Sequence, residues 1–395
     1  MGVGDSPTVI SLFTGAMGLD LGFEIEGFDI RVTLDNNKDV IETIRKNRPE
    51  IPIIGRNIFN VKTVEILEKA RLRVGEATVV TGGPPCQPFS TAGRRLSVEE
   101  KEGQLVFQFL RVVRETQPRF FVFENVAGLV SAARKHISFY ARIEKKKKKE
   151  ELAPEEKLGS AFERFLEEFE KIRTLDGNYY AINCDVVNSA DFGVPQKRRR
   201  FILLGSRDGK KIPLPIPTHG SPKSMDVILG HRKPWVTLRE ALNDLNDPNP
   251  EYLPFPWWGK FMKYIPEGGC WRDLPKELQK EAMGGAYDST GKGNKGGRTG
   301  FYRRLSWDKP APTLLTSPIF KGSVLAHPQE NRALSVREYA KIQKFPDDWE
   351  FVDHTATKYR LIGEAVPIPL ARALAKQILK ELDRETSLEA ARIEA

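Results

Sequence analysis

Residues 9–19 read Val-Ile-Ser-Leu-Phe-Thr-Gly-Ala-Met-Gly-Leu, a short apolar run that enters a glycine-bearing turn. Such a run is typical of a buried strand, and the turn stands where a helix would begin. Gly15 and Gly18 allow the backbone to approach a ligand closely, and a helix N-terminus favours an anionic group. The stretch therefore predicts a ligand-binding strand–turn–helix unit, although a tight turn without a ligand fits the two glycines about as well.

The first part of the chain repeats this plan. Three more short runs rich in β-branched and aromatic residues occur at 30–34, 78–80 and 120–123, with helical stretches at 61–73 and 104–115. This alternation predicts an α/β fold whose parallel sheet is covered on both faces. Polar and glycine-rich residues follow the strands directly. In open α/β sheets that edge is where ligands bind.

Asp35 closes the second run, at a position where a carboxylate commonly binds both hydroxyl groups of a ribose. Together with the glycine turn, Asp35 favours a nucleoside cofactor over a turn without a ligand. The turn lacks the Gly-x-Gly-x-x-Gly spacing of a dinucleotide-binding loop. NAD and S-adenosylmethionine nevertheless both fit these residues alone.

Composition limits the class of protein. The 395 residues carry a formal charge of +9, and 40% of them are hydrophobic, so the chain can bury a core and a polyanionic partner is permitted. No apolar run approaches the ~20 residues that span a bilayer, and we expect a soluble cytoplasmic protein. The three cysteines, Cys86, Cys184 and Cys270, are too few for a disulfide scaffold and lack zinc spacing, so we expect no metal.

Cys86 lies in a loop that suits a nucleophile. Residues 82–90 read Gly-Gly-Pro-Pro-Cys-Gln-Pro-Phe-Ser and follow the third run. A lone cysteine is usually a small buried hydrophobe. This one stands in a rigid loop of prolines and glycines flanked by polar residues, a better setting for presenting a thiolate than for core packing. We therefore predict Cys86 to be a nucleophile, activated by basic or dipolar surroundings.

Glu124 closes the fourth run, in Phe-Glu-Asn-Val at 123–126. A carboxylate at a strand end lined by Phe121 and Val122 is prone to desolvation, which favours its protonated form as a general acid. The alternative is a surface glutamate that caps the following helix. Only the neighbouring cysteine motif decides in favour of the acid.

Two later segments break the alternation. Residues 131–178 contain five consecutive lysines at 145–149 and an acidic amphipathic stretch, which we interpret as a solvated helical insertion; phosphate contact by the lysines is the minority alternative. Residues 206–302 lose periodicity and contain several prolines and tryptophans, with a glycine-lysine loop at 291–297. This composition predicts a second, small, irregular domain. For each tryptophan singly, core packing is the simpler explanation.

Helical patterns return at 335–344 and 369–382. Ser335 begins the first of these, and Glu338 follows three residues later, as in a capping box. We therefore divide the chain into a first domain, the irregular domain and a return to the first domain with a C-terminal helix. The corresponding ranges are 1–205, 206–302 and 303–395.

Four motifs, read in order, resemble those of the cytosine-C5 DNA methyltransferases. They are Phe-x-Gly-x-x-Gly-Leu at 13–19, Pro-Pro-Cys-Gln at 84–87, Glu-Asn-Val at 124–126 and Gln-Lys-Arg-Arg-Arg at 196–200. Residues 303–313 are similar to the family's ninth motif, and residues 335–347 and 363–367 are similar to its closing segment. The resemblance covers about 9–205 and 303–380, and it matches in both residue type and spacing.

The resemblance implies a Rossmann-like, S-adenosylmethionine-dependent methyltransferase sheet, with a target recognition domain at 206–302. It implies a prokaryotic modification enzyme, of restriction–modification or orphan type, which methylates C5 of a flipped cytosine in a specific double-stranded DNA sequence. We expect S-adenosyl-L-methionine as cofactor and a monomer that acts on nucleoid DNA in the cytoplasm. A cognate restriction endonuclease would be a further partner.

The family's residue roles carry over position by position. Cys86 would be the nucleophile, Glu124 would bind N3 and the exocyclic amine, and Arg198 and Arg200 would bind O2 and neighbouring phosphates. Cofactor contacts would come from Phe13, Gly15, Gly18, Leu19, Asp35, Asn36, Asn57, Ile58, Pro84, Leu105, Glu364 and Ala365. DNA contacts would come from Gln87, Ser90, Lys292, Lys295, Arg298 and Thr313.

Three positions depart from the family pattern. Met17 replaces the second of two adjacent glycines, which would narrow the cofactor loop. Asn57 stands where many relatives have an aspartate that reads the adenine amino group. Glu364 stands where an asparagine is usual beside the cofactor. None of the three would touch the reacting cysteine.

Three other functions compete with DNA methylation. A tRNA cytosine-C5 methyltransferase would use the same chemistry, but the ~100-residue recognition region fits DNA reading better. A non-catalytic DNA-binding relative would not need intact Pro-Pro-Cys-Gln and Glu-Asn-Val. A nicotinamide oxidoreductase would leave the cysteine loop and the arginine triplet unexplained.

Overall fold

A computed structural model describes residues 6–85, 104–132, 151–284 and 300–394; the side chains of Glu155 and of residues 385–394 lie outside the description. The strands are β1 Thr8–Leu12, β2 Asp29–Leu34, β3 Ile53–Ile54, β4 Val79–Gly82, β5 Phe120–Val126, β6 Ala181–Asn188, β7 Gln196–Lys197, β8 Arg199–Ser206, β9 His219–Gly220, β10 Lys233–Pro234 and β11 Ala311–Pro312. The α-helices are α1 Gly18–Ile25, α2 Lys38–Asn47, α3 Thr63–Ala70, α4 Gln104–Thr116, α5 Ser160–Glu170, α6 Met225–Ile228, α7 Leu238–Leu242, α8 Lys276–Met283, α9 Val336–Gln343, α10 Thr355–Glu364 and α11 Ile368–Glu394. Short 3₁₀ helices include Ile58–Asn60, Trp257–Tyr264 and Lys321–Ser323.

The chain forms two compact units. The first, called here the sheet unit, comprises Met1–Asn188, Arg199–Ile216 and Ala371–Ala395, and the second unit comprises Ser189–Arg198 and Pro217–Leu370. Residues 303–370 thus lie in the second unit, and only the chain from Ala371 returns to the sheet unit. The predicted domain boundaries at 205 and 302 stay a prediction.

A seven-stranded sheet organises the sheet unit, in the order β3-β2-β1-β4-β5-β8-β6. The strands from β3 to β5 are parallel, as predicted, which confirms the Rossmann-like α/β fold. β8 instead runs antiparallel to both β5 and β6. The short connection between β6 and β8 explains this difference, because a parallel pair needs a crossover of a dozen or more residues.

An aromatic cluster fills the sheet unit beneath β5. Phe109 of α4 lies 5.4 Å from Phe123 between ring centroids, and Phe169 of α5 lies 5.2 Å from Phe123. Phe165 of α5 is buried as well. The helical part of our interpretation of 131–178 is therefore confirmed for α5, but full solvation is wrong, because this helix buries its apolar face. The lysine block at 145–149 lies outside the described residues.

The last helix of the chain packs on the first. A Cβ added at Gly22 of α1 would lie 2.3 Å from Cβ of Ala371 in α11, so only glycine allows this approach. Nε of Arg372 donates to Oε1 of Glu26 at 2.6 Å beside the contact. The helix predicted at 369–382 is thus longer than expected, and it covers the helix that follows the glycine turn. No described helix is both long and apolar enough to cross a membrane.

The capping box predicted at Ser335 is confirmed. The Glu338 amide donates to Oγ of Ser335 at 3.1 Å, and the Ser335 amide donates to Oε2 of Glu338 at 2.6 Å. Two N–H groups that the start of α9 would otherwise leave unpaired are satisfied in this way.

We predict that Gly205→Ala destabilises the protein by about 2–3 kcal/mol, because the new Cβ would lie 2.0 Å from Cε1 of Phe121 in a closely packed sheet. Urea unfolding of Gly205→Ala, Phe121→Leu and the double variant forms the test. Because Phe121→Leu removes ring atoms that would clash with the new Cβ, the double variant should lose less free energy of unfolding than the two single variants lose together. Strict additivity would contradict the proposed contact.

Candidate active site

The glycine turn has an unusual backbone. Phe13, Gly15 and Met17 all have positive φ angles, of 54°, 55° and 63°. Met17 is the N-cap residue of α1 and makes no side-chain hydrogen bond to the helix. Met17 therefore gives the first N–H groups of α1 no side-chain cap, which suits an anionic ligand group at this helix N-terminus. A Cβ added at Gly15 would meet no described atom within 4 Å.

Met17 occupies a conformation that glycine adopts more easily. Its side chain is fully buried, and burial of a methionine side chain offsets the cost of the left-handed backbone, which is of the order of 1 kcal/mol. The departure from glycine is thus accommodated by packing of the methionine side chain.

Asp35 connects the end of β2 to the glycine turn. Oδ2 accepts a hydrogen bond from the Gly15 amide at 3.0 Å, and Oδ1 accepts one from the Asn37 amide at 2.9 Å. The carboxylate is half-buried at the carboxyl end of β2. The neighbouring Asn36 is exposed.

The remaining predicted cofactor residues of the sheet unit differ in exposure. Asn57 is exposed, and its Oδ1 accepts from the Phe59 amide at 3.1 Å as the cap of a 3₁₀ turn, so its amide nitrogen is directed away from that bond. Ile58 is buried in the core of the unit, and Leu105 of α4 packs against that core half-buried. Leu19 and Pro84 are buried too.

Glu124 and Arg200 form an ion pair at the end of β5. Nε of Arg200 lies 2.8 Å from Oε1 of Glu124, and only 11% of each side chain is exposed. The antiparallel register places Arg200 opposite Val126, two residues beyond Glu124, so the two side chains meet diagonally across the strands. The pair therefore presents a carboxylate and a guanidinium side by side at the ligand edge of the sheet.

The loop that leads to Cys86 contacts Glu124 and the neighbouring Asn125. A Cβ added at Gly83 would lie 2.9 Å from Oε2 of Glu124, so the backbone of Gly83 passes directly against the carboxylate. Nδ2 of Asn125 donates to the Pro84 carbonyl at 3.2 Å. Glu124 and Asn125 thus fix the chain two residues before Cys86. Cys86, Gln87 and Ser90 themselves lie outside the described residues.

Arg198 has different surroundings from Arg200. It belongs to the second unit, is 1% exposed, and donates to the carbonyls of Leu314 and Gly363 at 2.9 and 2.8 Å. Gln196 lies in the same interior and accepts from the Leu314 amide at 2.8 Å. A guanidinium committed to buried carbonyls is not presented to a base or a phosphate. Arg198 therefore connects segments of the second unit in this structure, and its predicted contact with cytosine O2 stays a prediction.

The other predicted residues of the second unit have mixed surroundings. Glu364 is exposed and lies 3.7 Å from Arg360, whereas Ala365 is buried. Oγ1 of Thr313 donates to the Lys197 carbonyl at 2.9 Å. Lys292, Lys295 and Arg298 lie outside the described residues.

Sequence reasoning missed Asp20. It is the third residue of α1 and is completely buried, and no other described residue makes a well-formed hydrogen bond to its carboxylate oxygens. Burial raises the pKa of Asp20 to about 7, an effect that the nearby Ser11 hydroxyl opposes only in part. The signal was an aspartate among the apolar residues of an amphipathic helix, directly behind the glycine turn.

Comparison with known proteins gives a consistent result. A model of the family described as C-5 cytosine-specific DNA methylase matches residues 7–380. Type II methyltransferase M.PspPI of Psychrobacter sp. is 35% identical over 96% of this chain and 80% of its own. Type II methyltransferase M.Eco47II of Escherichia coli is 33% identical over 95% of this chain and 80% of its own. In fold alone, a crystal structure of Spodoptera frugiperda DNMT2 superposes with a TM-score of 0.58 at 14% identity, over 95% of this chain and 100% of that one.

We predict that Asp20→Asn stabilises the protein increasingly between pH 4 and pH 7. Because folding raises the pKa of Asp20 from 3.8 to about 7, the folded wild type binds more protons than the unfolded chain in this window and loses stability as the pH rises. The loss reaches at most about 4 kcal/mol and is constant above pH 7. Urea unfolding at pH 5, 6, 7 and 8 gives the difference between variant and wild type. The exposed Asp29, as Asp29→Asn, is the control, and a difference that does not change with pH would contradict the assignment.

Proposed function

The chain belongs to the C-5 cytosine-specific DNA methylase family and is a DNA cytosine-5 methyltransferase, and from that premise we propose how its residues perform the reaction. A methyl group passes from S-adenosylmethionine to C5 of a cytosine that is flipped out of double-stranded DNA, through a covalent adduct of Cys86. The observation that carries this proposal is the Glu124–Arg200 pair, to which the loop before Cys86 is attached.

The residues of the sheet unit fit S-adenosylmethionine. The N-terminus of α1, to which Met17 gives no side-chain cap, suits its carboxylate, and the half-buried Asp35 suits its ribose hydroxyls. No described atom lies within 4 Å of a Cβ added at Gly15, which is consistent with room for such a group. When bound, the cofactor supplies an electrophilic methyl group on a sulfonium ion. The full contact set would be Phe13, Gly15, Gly18, Leu19, Asp35, Asn36, Asn57, Ile58, Pro84, Leu105, Glu364 and Ala365.

Cytosine C5 is a weak nucleophile, and Cys86 overcomes this weakness. The thiolate forms a bond from Sγ to C6, and the electron pair of the C5–C6 double bond moves to C5, which makes C5 an enamine-like nucleophile. After alkylation of C5, its proton is lost to water, and the C6–Sγ bond breaks to restore the double bond and the thiolate. One difficult substitution is thus divided into two easier steps.

Glu124 and Arg200 stabilise the charge that this addition creates. The Glu124 carboxyl group holds a proton at N3 and accepts a hydrogen bond from the exocyclic amine, so it faces the Watson–Crick edge of the base. Arg200 donates to O2, in the manner of an oxyanion hole, while its Nε orients the carboxyl group. The burial of both side chains strengthens these interactions because little water competes.

The reacting atoms are inaccessible inside a duplex, so the base must be extruded. We assign sequence reading to residues 206–302, of which 217–302 belong to the second unit. Contacts to DNA would come from Gln87, Ser90, Lys292, Lys295, Arg298 and Thr313. We propose further that the enzyme acts as a monomer on a specific double-stranded site and that a cognate restriction endonuclease is its partner; its similarity to proteins named Type II methyltransferases supports action on DNA.

Cys86→Ser should abolish methyl transfer. Bisulfite sequencing of DNA from an expressing host first identifies the site, and a duplex with 5-fluorocytosine at that site is then incubated with enzyme and cofactor. Because fluorine cannot leave C5 as a proton does, the wild type should remain attached to DNA on a denaturing gel. Cys184→Ser should remain attached as well. A wild type that is never trapped would refute the covalent mechanism.

Matched substitutions to lysine distinguish the roles of Arg198 and Arg200. Arg200→Lys keeps a charge beside Glu124 but loses the planar donor, so single-turnover methylation should fall about 10–100-fold with little change in stability. Arg198→Lys should instead lower stability by about 2–3 kcal/mol, because one ammonium group cannot serve both buried carbonyls. The rate of its folded fraction should stay near that of the wild type. If Arg198→Lys lowered the methylation rate but left stability unchanged, the result would contradict this structural role and support a contact of Arg198 with the cytosine.

A further inference from the structure

Two adjacent tryptophans of the second unit have opposite surroundings. Trp258 is 4% exposed and packs in an apolar cluster with Phe261 and Tyr302, whereas 64% of Trp257 is exposed. Core packing thus explains Trp258 but not Trp257. Exposure of a large aromatic ring to water forgoes the stabilisation that burial would give, so a role in the core does not account for Trp257.

Two ammonium groups face the ring of Trp257. Nζ of Lys321 lies 5.4 Å from the ring centroid, and Nζ of Lys260 lies 6.0 Å from it. Lys260 is paired with Glu281 at 2.6 Å, but Lys321 has no carboxylate partner among the described residues. Partial burial lowers the pKa of Lys321, and its ammonium also lies 5.6 Å from the Tyr302 ring. Lys321 is therefore a cation held in place by aromatic rings rather than by an acidic side chain.

The same surface adjoins the end of the glycine-lysine loop. A Cβ added at Gly300 would lie 2.3 Å from the carbonyl oxygen of Gly322, and the Val324 amide donates to the Gly300 carbonyl at 3.1 Å. The chain that follows Lys292, Lys295 and Arg298 in sequence thus returns beside Lys321. Phe320, which precedes Lys321, is 48% exposed. An exposed aromatic residue and a cation without a carboxylate partner among the described residues thus occur side by side.

We propose that Trp257, Phe320 and Lys321, the aromatic–lysine patch, form a contact surface for the DNA that flanks the extruded cytosine. Lys321 would bind a backbone phosphate, and Trp257 would pack on a deoxyribose or on a base face exposed by the distortion of the duplex. An aromatic ring beside an unpaired cation fits nucleic acid because each nucleotide offers a flat apolar face next to a negative charge. The proposal rests on the assignment of DNA reading to this unit.

The test uses a fluorescein-labelled, mixed-sequence duplex of 30 base pairs and the full-length enzyme with S-adenosylhomocysteine. Lys321→Gln should weaken binding about threefold and reduce the slope of log K against log salt by about one, because one phosphate contact is lost. Trp257→Ala should weaken binding about fivefold or more without changing that slope. Thermal unfolding shows whether each variant is folded. If Trp257→Ala is not folded, the result for Lys321→Gln alone decides the test.

A matched aromatic–cation pair in the sheet unit provides the control. Arg173 lies 4.3 Å from the ring of the exposed Tyr179, and Arg173→Gln and Tyr179→Ala should leave DNA affinity and salt slope unchanged. If the patch variants bound DNA as tightly as the wild type, with the same slope of log K against log salt, the proposed DNA contact would be wrong. A protein partner would then be the alternative occupant of the patch. A wild-type enzyme that neither binds nor methylates DNA would instead contradict the proposed function.

Discussion

A buried ion pair between neighbouring strands is the constraint on which the ligand edge of the sheet depends. Removing two charges from water costs several kcal/mol for each ion, so Glu124 and Arg200 are stable there only in close contact. The antiparallel register of β5 and β8 provides that contact, and the missing side chain of Gly83 leaves room for the carboxylate. The backbone of the cysteine loop is attached to the same place. The antiparallel direction of β8 thus determines the ion pair, and the ion pair lies against the backbone of the cysteine loop.

Features local to a strand and its end could be predicted from the sequence. Asp35 and Glu124 each follow an apolar run, and both lie at the edge where the parallel strands end. Strand direction could not be predicted in this way, because an apolar run has the same composition whichever way it is paired. The contact of Asp35 with the Gly15 amide also depends on pairing between β1 and β2, which the single sequence does not specify.

The two arginines and α5 show where pattern reasoning fails. Arg198 and Arg200 are two residues apart, so strand periodicity assigns them to the same face, but the boundary between the compact units falls between them. One pairs with a carboxylate in the sheet unit, and the other serves carbonyls in the second unit. In α5, adjacency to a lysine block suggested solvent, whereas the period of its phenylalanines was the stronger signal.

The contact between Gly22 and Ala371 has a consequence for biosynthesis. At roughly 5–20 residues per second, a ribosome needs about 20–70 s to travel between these two positions. During that interval the face of α1 that α11 later covers stays open to solvent or to chaperones. Ribosome stalling before Ala371 would therefore yield a product in which this face of α1 is left uncovered.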